Sequence, residues 1–391
     1  MKFLIHMGDS YPNEGPNAKR MRTFYEALIE DGNEAKVLAP KNPDLEYQDV
    51  IGFDTVLLQT KSSLNRLLNQ LSIGVNSVKA SKKVDNVDVI ITTTPPALIS
   101  VFAWYIAKRK HAKLVYDVRD IWPDVAWEMG SFSSKSFISR VFELNRDFML
   151  KHSDLIMAVS ERKVEKLKKY RPSADVIYIT NGLDEKFVDN VENPSIIKEF
   201  DLNDQYTCVY FGNIGLAQGL IQLMKLAKKA KENNLPVKFI LFGEGVEKNK
   251  LMTFARDNQL DNVSFPGRIS NEDIYTVLKN CGMSFISLVN DNLQDSVPTK
   301  LYEALGAGCP VLLAASGESA EILEKSKLGI AVKPNDEVGL WNAFISIYEN
   351  RKYYASMKEH AREVIIDNYS RQKAAKKMVK EIKMRFGGRT K

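Results

Sequence analysis

Residues that build metal centres and cross-links are scarce in this sequence. Its three cysteines, Cys208, Cys281 and Cys309, are odd in number and form no close-spaced pair. That excludes a disulfide framework or a zinc ribbon and fits a reducing cytoplasm. Its four histidines, His6, His111, His152 and His360, never fall four apart, so no two share a helical face as zinc ligands would. No window approaches the roughly 20 continuous apolar residues of a membrane span. The opening run MKFLIH is too short for a signal peptide. Any membrane contact is therefore expected to be peripheral. With 21 glycines and 14 prolines, composition near background also excludes collagen-like or wholly disordered chains.

What is present describes an ordinary α/β chain. Lys+Arg 55 against Asp+Glu 49 leaves a charge of +6, a mild attraction to phosphate that does not point to a nucleic-acid partner. At roughly 150 residues per domain, 391 residues predict two domains. Apolar runs at 3–7, 34–38, 87–92 and 113–118 alternate with amphipathic stretches, the rhythm of a parallel sheet covered on both faces. The rhythm pauses in a polar segment and restarts at 207–211. We therefore expect an N-terminal Rossmann-like domain over 1–185, a linker at 186–205, and a second such domain over 206–365. A C-terminal helix at 366–391 is expected to pack back on the first domain. Doubly wound halves of this kind bind ligands at the carboxyl ends of their strands, so the functional cleft is expected between them.

Glycine-rich turns mark three of those strand ends. The segment 209–220 runs from a strand through Gly212, Gly215 and Gly219 into a helix, Gly243-Glu244-Gly245 follows the next strand, and Gly267 precedes Arg268 at a third. Turns of this kind present backbone N–H groups and, at Arg268, a planar cation to an anion such as a diphosphate. The first turn fits neither the Walker nor the G-x-G-x-x-G pattern. Further on, Pro298 is expected in the first turn of a helix carrying Thr299, Lys300 and Glu303. Lys300 and Glu303, three apart, form either a surface ion pair or a phosphate-and-ribose pair; spacing alone leaves both open.

Taken together, Gly212-Asn-Ile-Gly with Gly219, Phe242-Gly-Glu-Gly245, Gly267-Arg-Ile and Pro298-Thr-Lys with Glu303 resemble the donor half of the retaining glycosyltransferases of family 4. Residues 158–160, 179–184 and the Arg-Asp-Ile-Trp-Pro loop within 116–124 resemble that family's first half. The resemblance implies the GT-B fold, two Rossmann-like domains facing a cleft, and no covalent intermediate. Three positions depart from the family pattern. Asp295 stands where the first acid of its Glu-x7-Glu pair is usual, Asn213 and Gln218 replace its Arg and Lys, and its N-terminal glycine loop reads 13–20 here, with Gly15 the glycine.

Carried onto these positions, the resemblance implies donor contacts from Gly15, Asn213, Gln218, Gly243, Glu244, Arg268, Thr299, Lys300 and Glu303. Asp120 and Arg119 would line the acceptor side, and Asp295 would orient the sugar. No Asp-x-Asp occurs, so the ligand motif of metal-dependent sugar-nucleotide sites is missing and neither metal nor cofactor is expected beyond a UDP-linked donor. The forms Gly-Asn-Ile-Gly and Pro-Thr-Lys are similar to bacterial transferases of N-acetyl-fucosamine-type sugars in O-antigen or capsule synthesis, which implies a polyprenyl-diphosphate-linked saccharide acceptor. A UDP-sugar epimerase of the same fold and a non-catalytic nucleotide-sugar binder are the alternatives.

One segment bears on that acceptor. Leu64, Leu67, Leu68, Leu71, Val75 and Val78 repeat at helical spacing, and no Asp or Glu falls between Asp54 and Asp85, while Lys61, Arg66, Lys79, Lys82 and Lys83 do. The expectation is either burial against the first domain's sheet or contact with an anionic membrane through residues 61–83. The latter would place the protein peripherally on the inner face of the cytoplasmic membrane.

Overall fold

The computed structural model describes residues 1–11, 15–42, 48–55, 63–130, 133–202 and 206–389. Lys61 of the basic segment, Asn13 of the glycine loop, and the side chains of Leu64 and Arg66 lie outside the described residues. The chain divides into two compact units, one of residues 1–181 with 371–391, the other of residues 182–370.

The first unit is built on seven parallel strands, β1 (Lys2–His6), β2 (Glu34–Pro40), β3 (Val50–Phe53), β4 (Val89–Thr94), β5 (Lys113–Val118), β6 (Leu155–Ala158) and β7 (Val176–Tyr178), in the order β3-β2-β1-β4-β5-β6-β7. The Val-Ile-Ile-Thr-Thr-Thr run of β4 is buried at every position, as β-branched residues suit a strand covered on both faces. On one face lie the helices Pro16–Glu30 and Arg371–Phe386, which share a core of Met21, Phe24, Leu28, Ala375, Met378 and Ile382. On the other lie Ser63–Ala80, Ile99–Lys110, Phe137–His152 and Glu161–Tyr170.

The second unit repeats the plan with six parallel strands, β8 (Tyr206–Phe211), β9 (Val237–Phe242), β10 (Val263–Gly267), β11 (Met283–Ser287), β12 (Val311–Ala314) and β13 (Gly329–Val332), ordered β10-β9-β8-β11-β12-β13. Phe239 and Phe344 stack at 5.9 Å in its core. Residues 186–205, read as a linker, carry the short helices Glu185–Val188 and Pro194–Glu199. Asn193 caps the second of these and ties it to Asp273 at 2.9 Å, so the segment is part of this unit.

Candidate active site

Each sheet reverses its winding once, between β1 and β4 and between β8 and β11, and the carboxyl ends of the strands there form the ligand crevice of such sheets. In the second unit three glycine turns are stitched along that edge. Gly212 donates to the Phe242 carbonyl at 2.9 Å, Ile214 to that of Glu244 at 2.9 Å, and Gly243 to that of Gly267 at 2.6 Å. The close approach requires glycine: a Cβ at Gly243, whose φ is +142°, would stand 1.8 Å from the Gly212 carbonyl oxygen. Glu244 pairs with Lys248, the first residue of the next helix, at 2.6 Å, and Arg268 beyond Gly267 is exposed.

At the centre of the edge stands Lys300, in the first turn of the helix Thr299–Gly306. Pro298 is not inside that helix but is its N-cap, with extended ψ of 131°. Lys300 Nζ donates to Tyr210 Oη at 2.8 Å and lies 4.0 Å from the centroid of the Tyr210 ring. Tyr210, fully buried in β8, donates in turn to the Asn213 carbonyl. The ammonium is thereby held beside Gly212, whose Cβ position is 3.2 Å from Nζ. Burial lowers the Lys300 pKa to about 7, and the charge of Glu303 opposes that shift. A part-buried ammonium gains from an anion, because a second charge restores stabilisation that burial removed.

Asn213 and Gln218 close over the same turn. Gln218 Oε1 accepts from the Gly215 N–H at 3.1 Å, and Asn213 Nδ2 lies 2.5 Å from the Cβ position of Gly215. These amides hold the loop from within. The buried Gln222 clamps the loop from beneath, donating to Gly219 and Leu288 carbonyls and accepting from the Asn335 N–H at 2.6 Å. Asp295 is half-buried in the loop after β11, whose backbone is anchored on both sides of it. Glu318 N–H donates to the Gln294 carbonyl at 3.0 Å and Ser319 Oγ to that of Ser296 at 2.7 Å.

The matching edge of the first unit carries a buried ion pair. Arg20 grips Asp117 through Nη2 at 2.8 Å and Nε at 3.1 Å, and donates to the Thr180 and Ile179 carbonyls at 2.6 and 2.8 Å. Thr93 Oγ1 completes the Asp117 shell at 2.9 Å. Arg119, Asp120 and Gly15 reach the same edge. Desolvation lowers the Arg119 pKa against the nearby charges of Asp120, Asp117 and Asp9. Asp120 does not cap the helix Asp124–Glu128, whose N-cap is Pro123. Asp124 is the structural acid there, bound by Arg146 at 3.0 Å and Lys166 at 3.2 Å.

Two sequence families account for both units. Residues 18–187 match the model of Glycosyltransferase Family 4, and residues 193–364 that of Glycosyl transferases group 1. The chain is a family 4 glycosyltransferase. The transferase is 23% identical over 159 residues to a chain of Escherichia coli (strain K12) that carries the name colanic acid biosynthesis glycosyltransferase WcaL; the match spans 40% of the transferase and 39% of that relative's length. Its fold is that of sucrose-phosphate synthase from Thermosynechococcus elongatus, with a TM-score of 0.82 at 15% identity over 99% of this chain and 100% of that one. Anabaena Alr3699/HepE, solved in complex with UDP and glucose, has a TM-score of 0.77 at 16% identity over 98% and 100%. The GT-B architecture expected from the sequence is thus observed.

Within the transferase, the glycine turns, Arg268, Thr299, Lys300 and Glu303 gather on the carboxyl edge of the second sheet, and Gly15, Arg119 and Asp120 on that of the first. Among the described residues no cluster of three or more His, Cys, Asp or Glu side chains could hold a metal ion. Tyr210 and Gln222 went unread in the sequence. The signal for Tyr210 was available: a tyrosine two residues before the turn glycine of a buried strand must spend its hydroxyl on that turn. The Arg20–Asp117 pair was missed because its partners are 97 residues apart.

Proposed function

We propose that this transferase moves a sugar from a UDP-linked donor, with retention of anomeric configuration and without a metal, to a polyprenyl-diphosphate-linked saccharide in bacterial surface-polysaccharide synthesis. The donor sugar is an N-acetylated 6-deoxy amino sugar. The reading rests chiefly on the Lys300 ammonium held by Tyr210 beside the Gly212 turn. A cation with its charge poorly solvated, facing a turn of glycines, is suited to the negative charge that develops on a departing diphosphate. Arg268 supplies a second cation from the neighbouring turn, Glu303 accepts from ribose hydroxyls, and Asp295 orients the sugar. Arg119 and Asp120 serve the acceptor. The name of the E. coli relative supports the pathway class, and the UDP and glucose in complex with Anabaena Alr3699/HepE support the donor class.

Membrane contact is supported by the helix Ser63–Ala80. It buries Ile73, Gly74, Ser77 and Ala80 against its own unit, so that Leu68, Leu71 and Val75 are left 44%, 39% and 45% exposed beside Lys79, Lys82 and Lys83. No helix among the described residues is long and apolar enough to cross a membrane, so this face would bind from the side.

The test is incubation with a panel of UDP- and GDP-sugars and a polyprenyl-diphosphate-linked saccharide in EDTA. Transfer from one UDP-sugar with retained configuration is the expected result. Release of an epimerised nucleotide sugar would make the protein an epimerase, and binding without turnover a non-catalytic binder.

A further inference from the structure

Two of the three cysteines meet in the second unit. Cys281 is the C-cap of the helix Asn271–Asn280 and Cys309 stands just before β12; 28 positions separate them, yet their sulfurs are 3.3 Å apart. A disulfide bond is about 2.05 Å long, so a shift of about 1 Å would close it.

A lone buried thiol is a small apolar side chain and is chemically inert. This pair differs in its backbone and in its exposure. The cysteines precede β11 and β12, neighbouring parallel strands held in register with Ser284 opposite Val311 and the Ser284 N–H donating to the Pro310 carbonyl at 2.8 Å. Such strands run about 4.8 Å apart, within the roughly 4.4–6.8 Å between Cα atoms that a disulfide spans. Each thiol is held only by long contacts to carbonyls, Cys281 Sγ to Leu278 and Met283 at 3.7 Å and Cys309 Sγ to Pro310 at 3.5 Å, so oxidation forfeits little hydrogen bonding. Cys281 is 7% exposed, Cys309 1% and Cys208 0%, so Cys281 is the sulfur a small oxidant reaches first. Burial pushes the Cys309 thiol up, against which the neighbouring charge of Lys358 acts; it is the slower thiol and reacts second.

The position of the pair gives a bond there a structural effect. Residues 281–309 comprise β11, the loop with Asp295 and the helix Thr299–Gly306 with Lys300 and Glu303. A bond between the ends closes this segment into one ring, which lowers the entropy of the unfolded chain. That effect does not depend on what the segment binds.

We propose that Cys281 and Cys309 form a reversible disulfide that staples this segment when the protein meets a low-molecular-weight disulfide. The Cys281 thiolate attacks one sulfur of the oxidant, forming a mixed disulfide and releasing one thiolate. The Cys309 thiolate then attacks the Cys281 sulfur, forming the intramolecular bond and expelling the second thiolate. The two cysteine protons leave with the two released thiols, the protein gives up two electrons, and the sulfur–sulfur bond of the oxidant takes them up.

The test incubates the folded full chain with excess oxidised glutathione and counts thiols after denaturation. Wild type is expected to go from three free thiols to one and to retain no glutathione. A tryptic digest run without reductant should then yield peptides 280–300 and 301–325 joined to each other, and dithiothreitol should restore all three thiols. Cys309→Ala should stop with one glutathione on Cys281, whereas Cys281→Ala should keep both remaining thiols. The oxidised protein should melt about 5 °C above the reduced one. Three thiols surviving the oxidant, a stable glutathione adduct in wild type, a bond to Cys208, or a midpoint that is unchanged or lowered would each overturn the proposal.

Discussion

Tyr210 sets what Lys300 can do. Its hydroxyl is at once the acceptor for the ammonium and the donor to the Asn213 carbonyl, so it joins the cation to the turn that the cation serves. Tyr210→Phe keeps the buried ring but removes this link. A hydrogen bond to a charged group is worth about 1.5–3 kcal/mol, so UDP affinity measured by calorimetry is expected to fall about tenfold or more, with little change in melting. His6 presents the opposite case, a buried titratable group outside the site. Ser77 Oγ donates to the Gly74 carbonyl at 2.7 Å, so it accepts from His6 Nε2 at 2.9 Å, and Nδ1 is left to accept from Thr92 at 3.2 Å. Burial lowers the His6 pKa to about 4 from an ordinary 6.5. The unfolded chain therefore binds the extra proton first, and neutral His6 contributes fully above pH 6.5. That contribution declines as pH falls toward 4, by on the order of 3 kcal/mol in all. Urea unfolding at pH 7 and pH 5 should show wild type losing about 2 kcal/mol more than His6→Gln; parallel losses would remove His6 from the acid response.

At the scale of elements, the helix Ser63–Ala80 shows how far periodicity reaches. Its apolar repeat was readable, but not which face the protein covers. That is decided by Gly74, whose Cβ position is 2.1 Å from the Phe102 ring, and by Gln70, which accepts from the Leu98 N–H at 3.0 Å. Packing through a glycine rotates the helix so that part of its leucine stripe faces outward. The triple variant Leu68→Ser, Leu71→Ser, Val75→Ser should keep the melting midpoint within about 2 °C, since these side chains are exposed. It should also lose at least about tenfold in flotation with phosphatidylglycerol vesicles. Equal flotation of variant and wild type would mean that the stripe has another role. The glycine turns are the converse case. Their place at successive strand ends was legible because a strand, a glycine and a helix start leave a local signature, whereas the hydrogen bonds from Gly212 to Phe242 and from Gly243 to Gly267 are long-range.

For the whole molecule, the doubly wound plan of each unit was legible because alternating apolar runs and amphipathic stretches are local. The contact of Cys281 with Cys309 was not, since the two stand 28 positions apart. The last helix, expected on the first domain, has Ala375, Met378 and Ile382 in one core with Met21 and Phe24, more than 300 residues earlier. The proposed function is concentrated where the second sheet reverses, on glycine turns, a tyrosine and one lysine. Calorimetric titration of UDP in EDTA, with wild type and Lys300→Ala, examines that concentration most directly. Wild type should bind, and Lys300→Ala should bind at least about tenfold more weakly. Because burial lowers the Lys300 pKa toward about 7, wild-type affinity should also decline from pH 7 to pH 9. A wild type that needs a divalent metal to bind UDP, or a Lys300→Ala variant that binds as tightly as wild type at pH 7, would contradict a donor site built on this lysine.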